Sequence, residues 1–305
     1  MSSLLPERVP MDHLIVAISS RALFDLDESH ALFESAGLDA YQAFQRERES
    51  VLLAPGIAFP LVQKLLGLNR LAPIAPHVEV MLLSRNSPDT GLRIFNAIEH
   101  YGLDISRAVF TNGAEPDRYI EASGAQLFLS AHAEDVKRTL DAGFAAATIL
   151  KSRVDPIGRP ELRIAFDGDA VLFSDDSERI AREQGLAAFH QNEADNAHDP
   201  LPKGPFKPFL DAIARIQAAF PINGAPLRTA LVTARSAPAH KRVILTLRSW
   251  GVRVDEAMFL GGRDKGPFLR AFGADIFFDD SRANADSASL HVATGHVPAG
   301  VANLR

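Results

Sequence analysis

The chain of 305 residues contains no cysteine. This absence excludes disulfides, thiolate nucleophiles and cysteine-ligated zinc, and it fits a reducing compartment. An excess of basic residues is also missing, because 32 Lys and Arg stand against 38 Asp and Glu and the net charge is −6. Proteins that bind nucleic acids or anionic membrane surfaces usually carry such an excess, so we expect neither kind of partner.

Long hydrophobic runs are missing too. No apolar stretch approaches the roughly 18–20 residues that a membrane span requires. Residues 1–10 lack the basic and then apolar order of a secretory signal. We therefore expect the protein to be soluble and cytoplasmic.

Several common catalytic motifs are absent as well, namely HExxH, GxSxG, the P-loop and GxGxxG. His291 and His296 are five residues apart, which is a poor helical spacing for zinc. We expect the histidines to be structural.

The chain does contain an alternation of short apolar runs with helix-period stretches, which is typical of an α/β fold. The predicted strands are residues 14–18, 78–83, 108–111, 126–129, 162–166, 229–232, 257–260 and 275–278. Two amphipathic helices are predicted at 90–101 and 241–250. Each is followed by a glycine, Gly102 or Gly251, the residue most typical of the position after a helix.

The sequence repeats itself at a nearly constant spacing. Ser19 and Asp167 both follow predicted strands and lie 167 − 19 = 148 residues apart. The same offset joins Gly37 to Gly185 and Gly56 to Gly204, and an offset of 251 − 102 = 149 joins Gly102 to Gly251, Phe110 to Phe259 and Ser130 to Asp279. Any two α/β halves share some glycines, but an offset that holds across unlike residue types with a single slip of one residue favours an internal duplication.

We therefore predict two Rossmann-like parallel-sheet units, 1–153 and 154–305, joined near 151–160 where Pro156, Gly158 and Pro160 cluster. The copies differ where chemistry would occur: the second has Asp167, Asp169, Lys265 and Asp279 where the first has Ser19, Arg21, Pro116 and Ser130. The first unit is thus degenerate. We expect it to shape or cover the substrate pocket or to form an interface, and a homo-oligomer is compatible with the second role.

Four segments of the second half carry polar side chains directly after predicted strands. They hold Asp167 with Asp169, Thr233 with Ala234 and Arg235, Lys265, and Asp279 with Asp280. Ligands of open α/β sheets bind beyond the carboxyl ends of the strands, so we expect these groups in one crevice. Gly168, between the first two acids, permits a close approach of the backbone to a ligand.

Each segment alone also has an ordinary explanation. Asp167 and Asp169 could form an acidic turn or the metal-binding Asp-x-Asp of a glycosyltransferase, Thr233 a helix N-cap, Lys265 a solvated loop residue and Arg235 a surface ion pair. Lys241 is the alternative to Lys265. The four segments together favour a catalytic site.

The ordered set Asp-x-Asp, Thr, Lys and Asp-Asp resembles the four motifs of the haloacid dehalogenase superfamily of phosphohydrolases. The longer strings AFDGDAVLFSDDSE, LVTARSA, KGPFLRAF and IFFDDS resemble more narrowly the cytosolic type I 5′-nucleotidases. The first-half strings AISSRALF, LLAPGIAF and NAIEHYGLDISR resemble the same family, so the match spans most of the chain.

The resemblance implies a role for each residue. Asp167 would be the nucleophile that forms an aspartyl-phosphate. Asp169 would protonate the leaving oxygen and then deprotonate the attacking water. Mg²⁺ would be held by Asp167, the backbone carbonyl of Asp169 and Asp279, with Asp280 close by. Thr233, Ala234, Arg235 and Lys265 would contact the substrate, and Thr233 and Lys265 would stabilise the phosphoryl oxygens.

The function implied is Mg²⁺-dependent hydrolysis of nucleoside 5′-monophosphates. The alternatives are a phosphatase for another small phosphoester such as a sugar phosphate, and a non-catalytic nucleotide-binding protein. The preferred base and sugar do not follow from the sequence, since the motifs contact the phosphate.

Overall fold

Short runs of branched and aromatic residues form ten strands of one sheet in the computed structural model, which describes residues 13–71, 78–152 and 158–303. The strands are β1 Leu14–Ile18, β2 Val78–Ser84, β3 Ala108–Phe110, β4 Leu127–Ser130, β5 Ala146–Leu150, β6 Leu162–Phe166, β7 Leu227–Thr233, β8 Glu256–Phe259, β9 Ile276–Asp279 and β10 Thr294–His296. The α/β fold with a mostly parallel sheet is therefore confirmed. All eight predicted strands are present within two residues of their predicted bounds, whereas β5 and β10 were not predicted.

The strand order explains how the two halves meet. It is β3-β2-β1-β4-β5-β10-β9-β6-β7-β8, so each half has the same order counted from its outer strand. Every neighbouring pair is parallel except β5 and β10, which are antiparallel with Thr294 opposite Leu150. The carboxyl ends of the first-half strands therefore lie at one edge of the sheet, and those of the second half lie at the opposite edge.

Helices connect the strands and cover the sheet. They are α1 Ser20–Leu23, α2 Asp27–Glu47, α3 Phe59–Leu71, α4 Pro88–His100, α5 Ile120–Ser123, α6 Ala133–Asp141, α7 Asp176–Gln184, α8 Leu186–Asp195, α9 Lys207–Ala218, α10 His240–Ser249, α11 Gly266–Phe272 and α12 Arg282–Ser289. The chain bends at Gly37 within α2 and at Gly185 between α7 and α8, and both glycines have a positive φ that favours this residue. Across residues 13–71, 78–152 and 158–303, none of the helices is both long and apolar enough to cross a membrane.

One large buried apolar cluster contains side chains from both halves. Alternate residues of the strands enter it: Val16 belongs to this cluster, while its neighbour Ala17 packs into a smaller cluster on the other face of the sheet. The shared cluster explains why the halves form one body. The predicted linker is described only in part, because residues 153–157 lie outside the described ranges.

An aromatic group within the large cluster fixes the two strand ends that precede Asp167 and Asp279. Phe166 of β6 stacks on Phe278 of β9 with ring centroids 5.8 Å apart, and Phe206 packs against Phe278 at 4.9 Å. All three side chains are fully buried. Removing a buried aromatic ring typically costs about 3–5 kcal/mol, so this packing strongly constrains the strand ends.

Gly204 is predicted to be essential for packing the loop after α8. A Cβ atom there would lie 2.8 Å from the carbonyl carbon of Leu172 and would collide with the carbonyl oxygens of Val171 and Phe173. We expect Gly204→Ala to lower the free energy of unfolding by about 1–3 kcal/mol, measured by urea denaturation. The matched control is Gly67→Ala in α3, where nothing lies within 4 Å and alanine should stabilise the helix. Equal effects of the two substitutions would contradict this interpretation.

Candidate active site

Three adjacent strands place the predicted acids and hydroxyl at one edge of the sheet. Asp167 follows β6, Thr233 ends β7 and Asp279 ends β9, and β9-β6-β7 are neighbours. The backbone N–H of Asp167 donates to the carbonyl oxygen of Phe278 at 2.8 Å, which ties two of these strand ends together. All three side chains are buried. This edge is where open α/β sheets bind ligands.

Lys265 joins the two strand ends electrostatically. Its Nζ lies 2.8 Å from Asp167 Oδ1 and 2.6 Å from Asp279 Oδ2, and only 5% of the residue is exposed. Burial opposes the charge of an ammonium group, but Asp167 and Asp279 outweigh it and raise the pKa of Lys265. Lys265 is therefore a buried cation between two carboxylates and not a solvated loop residue. Lys241 does not take its place, because its Nζ contacts His198 at 3.2 Å on the exposed side of α10.

Three carboxylates form a group that could hold a metal ion. Asp167, Asp279 and Asp280 each offer an oxygen, and these oxygens lie within 4.8 Å of one another. Oδ2 of Asp280 is buried and has no hydrogen-bond partner. Burial raises the pKa of Asp167 to about 7, against the opposing effect of Lys265, and burial together with Asp167 and Asp279 raises that of Asp280 to about 9.

Three buried carboxylates beside one lysine carry more negative charge, when all are ionised, than Lys265 can balance. Carboxylate oxygens are the preferred ligands of hard divalent cations, and an unpartnered buried oxygen is a ready ligand. The donor set therefore fits a divalent metal. The carboxylate of Asp169 is not part of this group.

Asp169 instead pairs with Arg235. The chain turns sharply after Asp167, with Ala170 at φ 57°, and the carboxylate of Asp169 accepts from Nε and Nη2 of Arg235 at 2.8 and 2.6 Å. Gly168 allows this turn to pass close to β7, since a Cβ there would lie 3.3 Å from Thr233 Oγ1. Both oxygens of Asp169 are thus occupied by one guanidinium group.

Arg235 also contacts Glu193 of α8, a residue that the sequence does not single out. Glu193 is fully buried and accepts from Ser177 Oγ at 2.7 Å and from Arg242 Nη1 at 3.0 Å. The expectation of a surface ion pair at Arg235 is wrong, because its side chain is only 2% exposed. The predicted repeat offers a signal for Glu193, since Gln45 lies 193 − 45 = 148 residues earlier. Gln45 accepts from Arg93 at 2.9 Å as Glu193 accepts from Arg242, and 242 − 93 = 149.

The sequence led us to expect that a helix begins at Thr233 and Ala234, and this expectation is wrong. Residues 234–239 form a loop, and the next helix, α10, begins at His240. The Oγ1 atom of Thr233 accepts the backbone N–H of Arg235 at 3.2 Å, so Thr233 is buried at a turn and not at a helix N-cap.

His296 and Asn303 support the site from the C-terminal side. His296 Nε2 lies 3.0 Å from the carbonyl oxygen of Asp280, and Asn303 Nδ2 donates to the same oxygen at 3.0 Å. Burial lowers the pKa of His296. His291 Nδ1 lies 2.9 Å from Arg270 Nη2, and the structural role of both histidines stays a prediction.

A comparison with protein families identifies the class to which this fold and site belong. The model described as 5′-nucleotidase matches residues 7–304, and the chain therefore belongs to the 5′-nucleotidase family. A particular relative is cytosolic 5′-nucleotidase 1B of Homo sapiens, which is 39% identical over 290 residues, or 92% of this chain and 48% of the relative. The chain thus spans about half the length of this relative. The resemblance inferred from the motifs is confirmed.

A solved structure, a universal stress protein from Pseudomonas aeruginosa UCBPP-PA14, aligns over 94% of both chains with 10% identity and a TM-score of 0.35. A likeness this weak has no bearing on fold or function.

Without a metal ion, the buried carboxyls should make the stability of the fold depend on pH. Folding raises the pKa of Asp167 and Asp280 above the unfolded value of 3.8, so the unfolded chain releases these protons first. Stability should then fall as the pH rises from about 4 to about 9. We expect Asp280→Asn to show a smaller fall in melting temperature than the wild type in EDTA.

Adding Mg²⁺ at alkaline pH should raise the melting temperature of the wild type by several degrees and that of Asp280→Asn much less, because a ligand stabilises the state that binds it. The matched control is Asp286→Asn, an exposed aspartate paired with Arg282, which should behave like the wild type. Parallel pH curves for the wild type and Asp280→Asn would contradict the assignment of a buried, charge-crowded site.

Proposed function

We propose that the protein hydrolyses nucleoside 5′-monophosphates to nucleoside and phosphate through an aspartyl-phosphate, with Mg²⁺ as cofactor, in the cytoplasm. The observation that carries the proposal is the contact of Lys265 with both Asp167 and Asp279 beside the unpartnered Asp280, in a chain of the 5′-nucleotidase family. The name of the human relative supports the cytosolic location and the nucleotide substrate.

Asp167 is the nucleophile. One of its carboxylate oxygens attacks the phosphorus atom, the bond from phosphorus to the 5′ oxygen breaks, and the 5′ oxygen takes a proton from Asp169. Water then attacks the aspartyl-phosphate and gives a proton to Asp169, which regenerates both carboxyl groups. Because both oxygens of Asp169 accept from Arg235, Asp169 must give up at least one of these contacts in order to hold the proton.

Lys265 neutralises charge during both steps. Its ammonium group already contacts Asp167, so it lies where negative charge gathers as the phosphoryl group is transferred. Thr233 provides a hydroxyl at the same edge, and the proposed substrate contacts include Ala234 and Arg235. A preorganised buried cation acts more strongly than one in water, because the surrounding medium screens it less.

Mg²⁺ would be held by Asp167, Asp279 and Asp280, with the backbone carbonyl of Asp169 as a further ligand. When bound, the ion neutralises phosphoryl oxygens and favours attack by an anionic nucleophile. The three aspartates would hold the ion, and Lys265, in contact with Asp167 and Asp279, would orient the phosphoryl group.

An internal duplication, with 154–305 as the catalytic unit and 1–153 as a degenerate copy, is part of the proposal. The equal strand order of the halves supports it. So do matching contacts: Ser84 Oγ accepts the N–H of Asn86 at 3.2 Å, as Thr233 Oγ1 accepts that of Arg235. The ion pair of Arg107 with Glu79 corresponds, with its charges exchanged, to that of Glu256 with Arg228, because 256 − 107 = 149 and 228 − 79 = 149.

Among the described residues, the amino ends of the first-half strands lie at the same edge of the sheet as the carboxyl ends of the second-half strands. The carboxyl ends of the first-half strands face the opposite edge of the sheet, because β5 and β10 are antiparallel. We therefore propose that the first unit contributes to the pocket through that amino-end edge or serves as an interface, in which case the protein is a homo-oligomer.

The nucleophile can be tested with its counterpart as control. We expect Asp167→Asn to reduce phosphate release from nucleoside 5′-monophosphates by roughly 10³-fold or more, and Ser19→Ala to leave it unchanged. The assay should include sugar phosphates and samples with and without Mg²⁺. Undiminished turnover by Asp167→Asn would remove it from the mechanism, and equal rates across all substrates would leave a general phosphatase.

The acid role of Asp169 can be tested with the leaving group. General acid catalysis contributes about 10²–10⁴-fold when the leaving oxygen needs a proton. We expect Asp169→Asn to lose much more activity towards nucleoside 5′-monophosphates than towards p-nitrophenyl phosphate, whose phenolate leaves without protonation. Equal losses with both substrates would show that Asp169 acts in another way.

A further inference from the structure

The first half has its own cavity at the edge of the sheet opposite the catalytic site. Its volume is about 230 Å³, and its lining includes Ser19, Phe33, Tyr41, Ser84, Asn86 and Ser130. Several of these residues follow β1, β2 and β4, as the catalytic residues follow β6, β7 and β9. This first-half cavity is slightly smaller than the roughly 300–1,000 Å³ pockets of drug-sized ligands, which suits one small organic molecule.

The space exists because the first half lacks the buried arginine of the second. Arg235 extends between Asp169 and Glu193, whereas its counterpart Asn86 is shorter, since 235 − 86 = 149. Asn86 Oδ1 accepts from the hydroxyl of Tyr41 at 2.8 Å, and its amide lies 3.4 Å from Ser20 Oγ. Where Arg235 joins Asp169 and Glu193 in the second half, the neutral side chains of Asn86, Tyr41 and Ser20 contact one another in the first half.

The floor of the first-half cavity consists of buried hydroxyls. Ser84 Oγ and Ser20 Oγ share a hydrogen bond of 2.8 Å, and Ser130 Oγ accepts the N–H of His132 at 3.0 Å. Ser20, Ser84 and Ser130 are each at most 4% exposed. These groups can donate to and accept from a polar ligand without adding charge.

Each arginine of the cavity lining already contacts a carboxylate, and Asp27, the partner of Arg21, also contacts Lys151. Arg85 Nε contacts both carboxylate oxygens of the buried Asp135, at 3.0 and 3.1 Å. Arg21 pairs with Asp27 at 3.2 Å. Within the described ranges, the group of carboxylates that could hold a metal is at the catalytic site and none is here. Among the described residues, both arginines of the lining are already in contact with a carboxylate, so a doubly charged phosphate would have to compete with Asp27 or Asp135, and its burial would be costly.

One wall of the cavity is aromatic. Phe33 meets Tyr41 edge to face with ring centroids 6.1 Å apart, and His30 stacks on Phe33 at 6.4 Å. Phe33 remains 45% exposed, and so large an exposed ring beside a polar floor is a surface on which a planar heterocycle can stack.

We propose that the first-half cavity binds an uncharged nucleoside, with its base on Phe33 and Tyr41 and its hydroxyls at the serine floor, without metal and without hydrolysis. The lining explains the neutral, planar and hydroxyl-bearing character of the ligand. The choice of a nucleoside among such ligands rests on the proposed function, whose product would be a nucleoside.

The test measures nucleoside binding to the full chain by isothermal titration calorimetry in EDTA, with adenosine, guanosine, cytidine and uridine as probes. We expect Phe33→Ala to weaken binding by about tenfold or more, because a stacked base contributes about 1–3 kcal/mol. Ser84→Ala should weaken it too. Thr233→Ala, the counterpart of Ser84 in the catalytic half, should leave it unchanged, and Phe33→Ala should release phosphate from nucleotides at the wild-type rate.

Three results would overturn the proposal: no nucleoside binding by the wild type, binding weakened by Thr233→Ala but not by Phe33→Ala, or equally tight metal-free binding of nucleoside monophosphates that Phe33→Ala weakens. Phe33 is exposed, so its substitution tests the site even if Ser84→Ala disturbs the fold. Binding in EDTA is independent of turnover, so failure of the proposed hydrolysis would be recognised separately by the phosphate assay.

Discussion

The buried ammonium group of Lys265 between Asp167 and Asp279 is the interaction on which the rest of the site depends. Two carboxylates at the ends of adjacent strands repel each other, and burial strengthens that repulsion. One lysine relieves the repulsion and in return has its own charged form stabilised. Lys265 contacts Asp167 and Asp279 but not Asp280, so the carboxylate of Asp280 has no cation beside it although its surroundings are well packed. A divalent cation is the simplest group that satisfies this remaining demand.

The packing below the site makes this crowding tolerable. Phe166, Phe206 and Phe278 form a rigid aromatic layer directly beneath Asp167 and Asp279. Strand ends held in this way cannot separate to relieve the repulsion between their carboxylates. The hydrophobic core thus keeps the acids close together, and the lysine and the metal ion lower the electrostatic cost. The first half differs at the corresponding strand ends, because Ser19 and Ser130 stand there and carry no charge that a cation would have to offset.

Much of the site could be predicted from sequence because its parts are local. Asp167, Thr233 and Asp279 each follow an apolar run, and a parallel α/β sheet brings such positions to one edge. Glu193 could not be found in this way, since it lies on a helix and reaches Arg235 through a contact across 42 residues. The turn between Thr233 and His240 was missed because a hydroxyl after a strand is equally typical of a helix N-cap.

The joining of the halves was the main feature that local patterns did not indicate. β10 has only three residues, Thr294–His296, and its antiparallel partner β5 is more than a hundred residues away in sequence. Periodicity within a segment carries no information about such a distant partner or about its direction.

The antiparallel junction of β5 and β10 also has a consequence for a nucleoside that leaves the catalytic site. The carboxyl ends of the strands in the two halves lie at opposite edges of the sheet, so the first-half cavity and Asp167 do not share an edge. A nucleoside released at the Asp167 edge would then reach the Ser19 edge by diffusion around the sheet. A nucleoside bound in the first-half cavity would therefore come from solution. Occupancy of this cavity would follow the nucleoside concentration in solution and not a single turnover at Asp167.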